Sequence, residues 1–210
     1  MTRTRIKFCG ITREKDAQAA ISLGVDALGF VLVPASPRHI TADKAAAIRR
    51  RLPPFISTVA LLKDADAAFV QDAIDVLKPD LLQFHGEEPA DFCASFGLPY
   101  LKAVAMGEKQ SLAALARRYR GAVGLLLDGH SKGGMGGRGE TFDWSRVTAV
   151  KTPLVLAGGL NPGNVGRAVR QLRPYGVDVS SGIEAKPGVK DHDKMRAFVE
   201  AVQRADKRKQ

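Results

Sequence analysis

Eight short apolar runs recur along the chain, separated by longer segments of mixed polarity: "RIKFCG", "DALGFVLV", "FISTVALL", "DLLQFHG", "PYLKAV", "AVGLLLD", "TPLVLAGG" and "GVDVSSG". Their length and bounding turn residues predict strands. The segments between them carry apolar residues at helical spacing. Ala17, Ala20 and Ile21 follow Thr12 in this way, and Phe69, Ala73, Ile74 and Leu77 precede Pro79. Gly24, Gly97, Gly121 and Gly176 stand where such a segment gives way to the next run, and glycine there can take the left-handed conformation that ends a helix. The pattern is strand then helix, eight times.

Alternating strands and helices imply parallel strands joined by right-handed crossovers, and eight rounds favour closure. The predicted fold is therefore α/β, a single compact (β/α)8 TIM barrel. Such barrels typically have about 250 residues, so a chain of 210 leaves room for only short loops. One domain over residues 1–210 is expected, with a basic C-terminal tail over about 204–210. An open doubly wound sheet is the alternative. Its GxGxxG signature after the first strand is missing, since "CGITRE" has a single glycine.

In a barrel of this kind the active site lies at the C-terminal ends of the strands. Strand 1 ends in Cys9. The two-residue period of a strand puts Lys7 on the same inward face and sends Ile6 and Phe8 outward. Strand 6 ends in Asp128 after three leucines, with Leu126 inward beside it. Strand 4 ends in Gln83 and His85, and strand 8 carries Asp178 before "SSG". Strands 1 and 6 are three steps apart in a ring of eight, so Cys9 and Asp128 would face each other across the mouth with room for a small substrate. Cys9 also reads as a packed core residue, the usual fate of free cysteine. Asp128 also reads as a helix cap or loop carboxylate. Cys93, inside the helical "PADFCASF", reads as core.

Two glycine-bearing turns, "LAGGLNPGNV" and "VSSGIEAKPG", follow strands 7 and 8. Backbone amides exposed by glycine near a helix start form an anion site, and barrels hold phosphate between these two loops. Tight turns alone would leave the same trace. Six glycines crowd residues 129–144, "GHSKGGMGGRGETFDW", which suggests either a linker or a lid beside Asp128. In "PASPRHI" two prolines stiffen the loop after strand 2, where Arg38 could fork onto a carboxylate or simply face water.

Composition narrows the partners. A formal charge of +10 can signal nucleic acid, membrane or small anions, but the basic residues are scattered and aromatics make up 6% of the chain. No aromatic sits within a basic cluster, which argues against nucleic acid. Two cysteines give neither a disulfide framework nor a CxxC metal spacing, so no metal site is expected and a reducing compartment is. There is no signal-like N-terminus and no long uncharged apolar run. The cytoplasm is the expected location and no membrane contact is expected. The sequence leaves the oligomeric state open.

The stretches "KFCGIT", "SPRHI", "LLQFHG", "LLLD" with its glycine-rich loop and "GETFDW", "LAGGLNPGNV" and "VDVSSGIEAKPGVKD", taken in this order, resemble the phosphoribosylanthranilate isomerase family of tryptophan biosynthesis. The resemblance runs from strand 1 to the last helix. It implies a small barrel without metal or organic cofactor that converts an aminoaldose phosphate to an aminoketose phosphate, an Amadori rearrangement. It assigns Cys9 as general base and Asp128 as general acid. It also places the anthranilate carboxylate near Arg38 and the ribose phosphate on amides around Gly158, Gly159, Ser181 and Gly182. Gln83, His85 and Asp178 are then further substrate-binding candidates. The implied partner is a small anion carrying a phosphate and an aromatic carboxylate. Arg138 departs from the family, which more often has threonine or serine in that part of the lid.

For this chemistry each catalytic group must start in its less common state. An unperturbed aspartic acid, with a pKa near 3.9, is protonated in about one molecule in a thousand at pH 7, and a thiol near 8.5 is only a few per cent thiolate. Burial is expected to raise the pKa of Asp128, and Lys7 to lower that of Cys9 if its ammonium comes close. The related aldose-ketose isomerase of histidine biosynthesis, which holds a substrate with two phosphates, would need a second glycine-rich site after strand 3. "LLKDADAAF" offers no glycine there. A non-catalytic basic protein would instead bind nucleic acid with steep salt dependence.

Overall fold

The structure is a computed structural model and describes residues 3–106, 111–129 and 142–207. Eight parallel strands close into a barrel in chain order, the last pairing with the first. They are β1 (Arg5–Cys9), β2 (Ala27–Val31), β3 (Ser57–Leu62), β4 (Leu81–Phe84), β5 (Tyr100–Ala105), β6 (Gly124–Asp128), β7 (Leu154–Leu156) and β8 (Gly176–Val179). Seven fall within the apolar runs, and β5 extends one residue past its run, to Ala105. A short antiparallel hairpin, β9 (Glu184–Lys186) and β10 (Val189–Lys190), follows β8.

Seven helices lie among the described residues: α1 (Glu14–Ser22), α2 (Ala42–Arg49), α3 (Ala67–Leu77), α4 (Ala90–Ala94), α5 (Leu112–Arg118), α6 (Val165–Leu172) and α7 (His192–Lys207). The sequence predicts eight. Between β6 and β7 the described residues hold one 3-10 turn, Trp144–Arg146, where an α-helix was expected. Residues 130–141 of the glycine-rich stretch, including Arg138, lie outside the described residues, and so does the expected lid. The basic C-terminal residues Arg204 and Lys207 belong to the last turn of α7, and residues 208–210 lie outside the described residues.

The two faces of each strand meet different neighbours, as the two-residue period requires. Ile6, Phe8, Leu28, Phe30, Leu62, Phe84 and Leu127 point to the helices and are buried there. Phe8 meets Phe198 of α7 edge to face, with centroids 6.1 Å apart. Inside the barrel the fill is divided. Leu101, Ala103, Leu126, Val155 and Ala157 form an apolar block on the β5–β7 side, while Lys7, Gln83 and Asp178 place buried polar groups elsewhere in the ring. A barrel interior is packed, and polar groups within it need partners. Lys7 Nζ accordingly bonds Asp178 Oδ1 at 2.9 Å.

Helix ends only partly follow the glycines. Gly24 and Gly97 have φ of 75° and 69°. Gly121 and Gly176 are not left-handed. At the end of α6 that conformation is taken by Arg173, with φ of 47°, and Gly176 instead opens β8, where a Cβ would come within 3.1 Å of the Arg5 carbonyl oxygen. On α3 the buried face is Val70, Ala73 and Leu77, while Phe69 is exposed. Cys93 is fully buried in α4, and burial pushes its thiol up to about 12, which fits a core residue.

Candidate active site

At the C-terminal mouth of the barrel lies a cleft lined by Cys9, Arg38, Gln83, His85, Asp128, Gly158, Gly159, Asp178 and Ser181. Those nine are sequence candidates, brought together from β1, β4, β6, β8 and the loops after β2, β4, β7 and β8. Gly182, the tenth, does not line the cleft.

Cys9 ends β1 with its side chain turned inward and only 5% of the residue exposed. Gly29, opposite it on β2, makes the space: a Cβ there would lie 2.9 Å from Cys9 Sγ and 3.0 Å from Lys7 Nζ. The thiol and the ammonium therefore cross the same glycine. Burial pushes the Cys9 thiol up, and the neighbouring Lys7 charge only partly offsets this. Lys7 does lower the thiol pKa, as expected, but desolvation outweighs the ammonium, which is also bonded to Asp178, and the net shift is upward. Burial works against the charged form of Lys7, but Asp178 and Cys9 hold its pKa above the ordinary value.

Asp128 ends β6 among leucines, one register position above Leu127 and beside Ala105 of β5. Its Oδ2 lies 3.3 Å from His85 Nε2, and His85 Nδ1 lies 3.2 Å from the Gln83 amide nitrogen. An amide donating to Nδ1 requires the tautomer whose proton is on Nε2, the nitrogen nearest the carboxylate. Asp128 Oδ1 approaches the turn at Gly158, where a Cβ would lie 2.9 Å from it and 2.2 Å from the Gly129 nitrogen. Only glycine fits there.

The turn after β7 places two successive residues, Gly158 and Gly159, at φ of 71° and 63°, a conformation L side chains resist. Asn164 braces it by donating from Nδ2 to the Gly159 carbonyl at 2.8 Å and accepting from the Asn161 amide at 2.9 Å. The 3-10 turn Ser181–Ile183 after β8 docks directly on this loop. A Cβ on Gly182 would stand 1.9 Å from the Leu160 carbonyl oxygen, so Gly182 serves the contact between the two turns. Gly182→Ala is expected to separate them at a cost of about 1–3 kcal/mol. That is a fall of roughly 2–12 °C in melting temperature for a chain of this size, read by thermal denaturation. An unchanged melting temperature would mean that the turns are not locked.

Arg38 forms the expected fork, but onto a carboxylate of its own chain: Nε and Nη2 bond Glu184 Oε1 and Oε2 at 2.9 and 2.8 Å. Beside it, Val31, Val33 and Leu61 give the cleft an apolar wall. Sequence reading missed this wall, as well as Gly29 and Glu184. Val31 and Leu61 could have been found as the inward partners of Cys9 by carrying the two-residue period across from β1. Glu184 lay in a quoted stretch but had no spacing that marked it.

The comparisons with known proteins agree over nearly the whole chain. Residues 6–201 match the family model described as N-(5'phosphoribosyl)anthranilate (PRA) isomerase. A curated relative from Stenotrophomonas maltophilia, N-(5'-phosphoribosyl)anthranilate isomerase, is 51% identical over 207 residues, covering 97% of this chain and 95% of its own. Among solved structures, phosphoribosyl anthranilate isomerase from Thermus thermophilus superposes with a TM-score of 0.86 at 36% identity, covering 96% of this chain and 99% of its own. Another phosphoribosyl anthranilate isomerase was solved in complex with reduced 1-(o-carboxyphenylamino)-1-deoxyribulose 5-phosphate; it is 35% identical with a TM-score of 0.81, covering 95% of this chain and 98% of its own. With a matching family model over most of its length and close relatives aligned end to end, this chain belongs to the phosphoribosylanthranilate isomerase family.

Proposed function

We propose that Cys9 and Asp128 are the general base and general acid of this chain's reaction. That reaction is the isomerisation of N-(5-phosphoribosyl)anthranilate to 1-(2-carboxyphenylamino)-1-deoxyribulose 5-phosphate in tryptophan biosynthesis. Asp128 gives its proton to the furanose ring oxygen as the bond from that oxygen to C1 breaks, and the nitrogen lone pair forms the C1 iminium. The Cys9 thiolate then takes the C2 proton. The C–H electrons become the C1–C2 double bond and neutralise the iminium, giving an enolamine that tautomerises to the ketone.

The observation that carries this reading is the opening of Cys9 and Asp128 into one cleft from strands three apart in the barrel. Proton delivery and proton removal occur on different atoms of one sugar, so the two groups need to flank it. The glycine turns after β7 and β8 suit the phosphate, and the apolar wall beside Arg38 suits an aromatic ring with its carboxylate. No helix among the described residues is long and apolar enough to cross a membrane, and a cytoplasmic location is part of the same proposal.

Incubation of the purified chain with phosphoribosylanthranilate, followed by chromatography, tests the function directly. The expected result is conversion of this substrate and none of the phosphoribosyl-imidazole substrate of the histidine-biosynthesis isomerase. Conversion of the imidazole substrate alone would overturn the assignment.

A further inference from the structure

The β9–β10 hairpin turns through Pro187 and Gly188, the latter with φ of 74°. It sets Glu184 opposite Lys190 in antiparallel pairing, and both residues are buried. The Glu184 carboxylate accepts four hydrogen bonds: two from Arg38, one from Lys190 Nζ at 3.0 Å and one from the Gly188 amide at 3.2 Å. Lys190 Nζ is itself fixed by the Ser180 carbonyl at 3.1 Å. Burial works to raise the Glu184 pKa, but the hydrogen bond from Arg38 and the charge of Lys190 outweigh it and hold the carboxyl below its ordinary value. Glu184 is therefore a fixed anion in the wall behind Arg38.

A guanidinium has more than one edge on which it can meet a carboxylate. With Nε and Nη2 held by Glu184, Nη1 is the nitrogen outside that fork. A free arginine side chain loses about 2 kcal/mol of rotamer entropy on being fixed, and fixing it before the ligand arrives removes that cost from binding. Gly10, next to Cys9, lies under the same arginine: a Cβ there would meet Arg38 Cδ at 2.9 Å. The guanidinium stem is thus confined from below by backbone and from behind by Glu184.

We infer that Glu184 is a positioning and specificity-determining residue, anchored by Lys190 and the Gly188 amide, which presents Arg38 to the aromatic carboxylate of the substrate. The inference rests on the reading of Arg38 as that carboxylate's partner. It is tested by binding of two probes, reduced 1-(o-carboxyphenylamino)-1-deoxyribulose 5-phosphate and its decarboxylated counterpart, to the parent, Arg38→Met and Glu184→Gln. The readout is the ratio of the two dissociation constants on the same protein, which a change in the folded fraction leaves unaltered.

The parent is expected to prefer the carboxylated probe by about 100-fold, in keeping with a charge-assisted pair, and Arg38→Met to lose nearly all of that preference. Glu184→Gln keeps the shape of the side chain but turns an N–H group toward the guanidinium, and should cut the preference at least tenfold. If Arg38→Met loses the preference and Glu184→Gln keeps it, or if Glu184→Gln weakens both probes equally, the positioning role is overturned while the Arg38 reading stands. If Arg38→Met keeps the preference, the Arg38 reading fails as well.

Discussion

Replacing Asp128 with asparagine is expected to lower turnover about a thousandfold while leaving the affinity for the reduced product analogue within about threefold of the parent. General acid catalysis by a positioned side chain contributes about 10²–10⁴ in rate, and a thousandfold corresponds to about 4 kcal/mol of barrier. Asparagine has the size and planarity of the carboxylate, so the contact with His85, 3.3 Å away, and the close approach to Gly158 survive. What it cannot do is hand a proton to a ring oxygen. Single-turnover kinetics with phosphoribosylanthranilate, together with titration of the analogue, separate the two effects. Turnover within tenfold of the parent would remove Asp128 from the acid role, and an equal loss of binding and rate would make it a binding group.

The strands and their inward faces were legible because each strand has two faces with unlike surroundings, and a period of two records that difference. Lys7 and Cys9 alternate with Ile6 and Phe8 in the sequence as they do in the barrel. The partners of the inward groups were not legible. Lys7 meets Asp178 across 171 positions of chain, and Arg38 meets Glu184 across 146. Periodicity names a face, but only closure of the ring decides which residues share a height on it. Helix ends were misread for a related reason. Arg173 could take the left-handed turn that a glycine was expected to supply, since tertiary packing can offset a local preference of about 1–2 kcal/mol. The sign of the shift at Cys9 was also beyond the sequence, because it depends on how completely the thiol is buried relative to its distance from the Lys7 ammonium.

That sign leads to the second large effect. Cys9→Ala is expected to reduce kcat about a thousandfold by removing the base, with little loss of folding because a single sulfur is deleted. The ion pair beside the thiol gives a finer test of the same role. In the free enzyme burial holds the Cys9 pKa above its ordinary value, so at pH 7 the thiol dominates and the thiolate the base role needs is the minor form. For any acid whose pKa lies below that of the thiol, kcat/KM is level at intermediate pH and falls once the pH passes the thiol pKa, because the thiolate is then complete and the acid continues to lose its proton. Any rise in the thiol pKa moves this alkaline limb upward and lowers the plateau tenfold per unit. Lys7 favours the thiolate and Asp178 opposes it. Lys7→Met should therefore shift the limb to higher pH and depress the plateau. Asp178→Asn, which removes an anion and releases the ammonium, should shift the limb to lower pH. Opposite movements from the two halves of one ion pair are not produced by partial unfolding, whereas a limb that stays in place in both variants would show that it does not belong to Cys9.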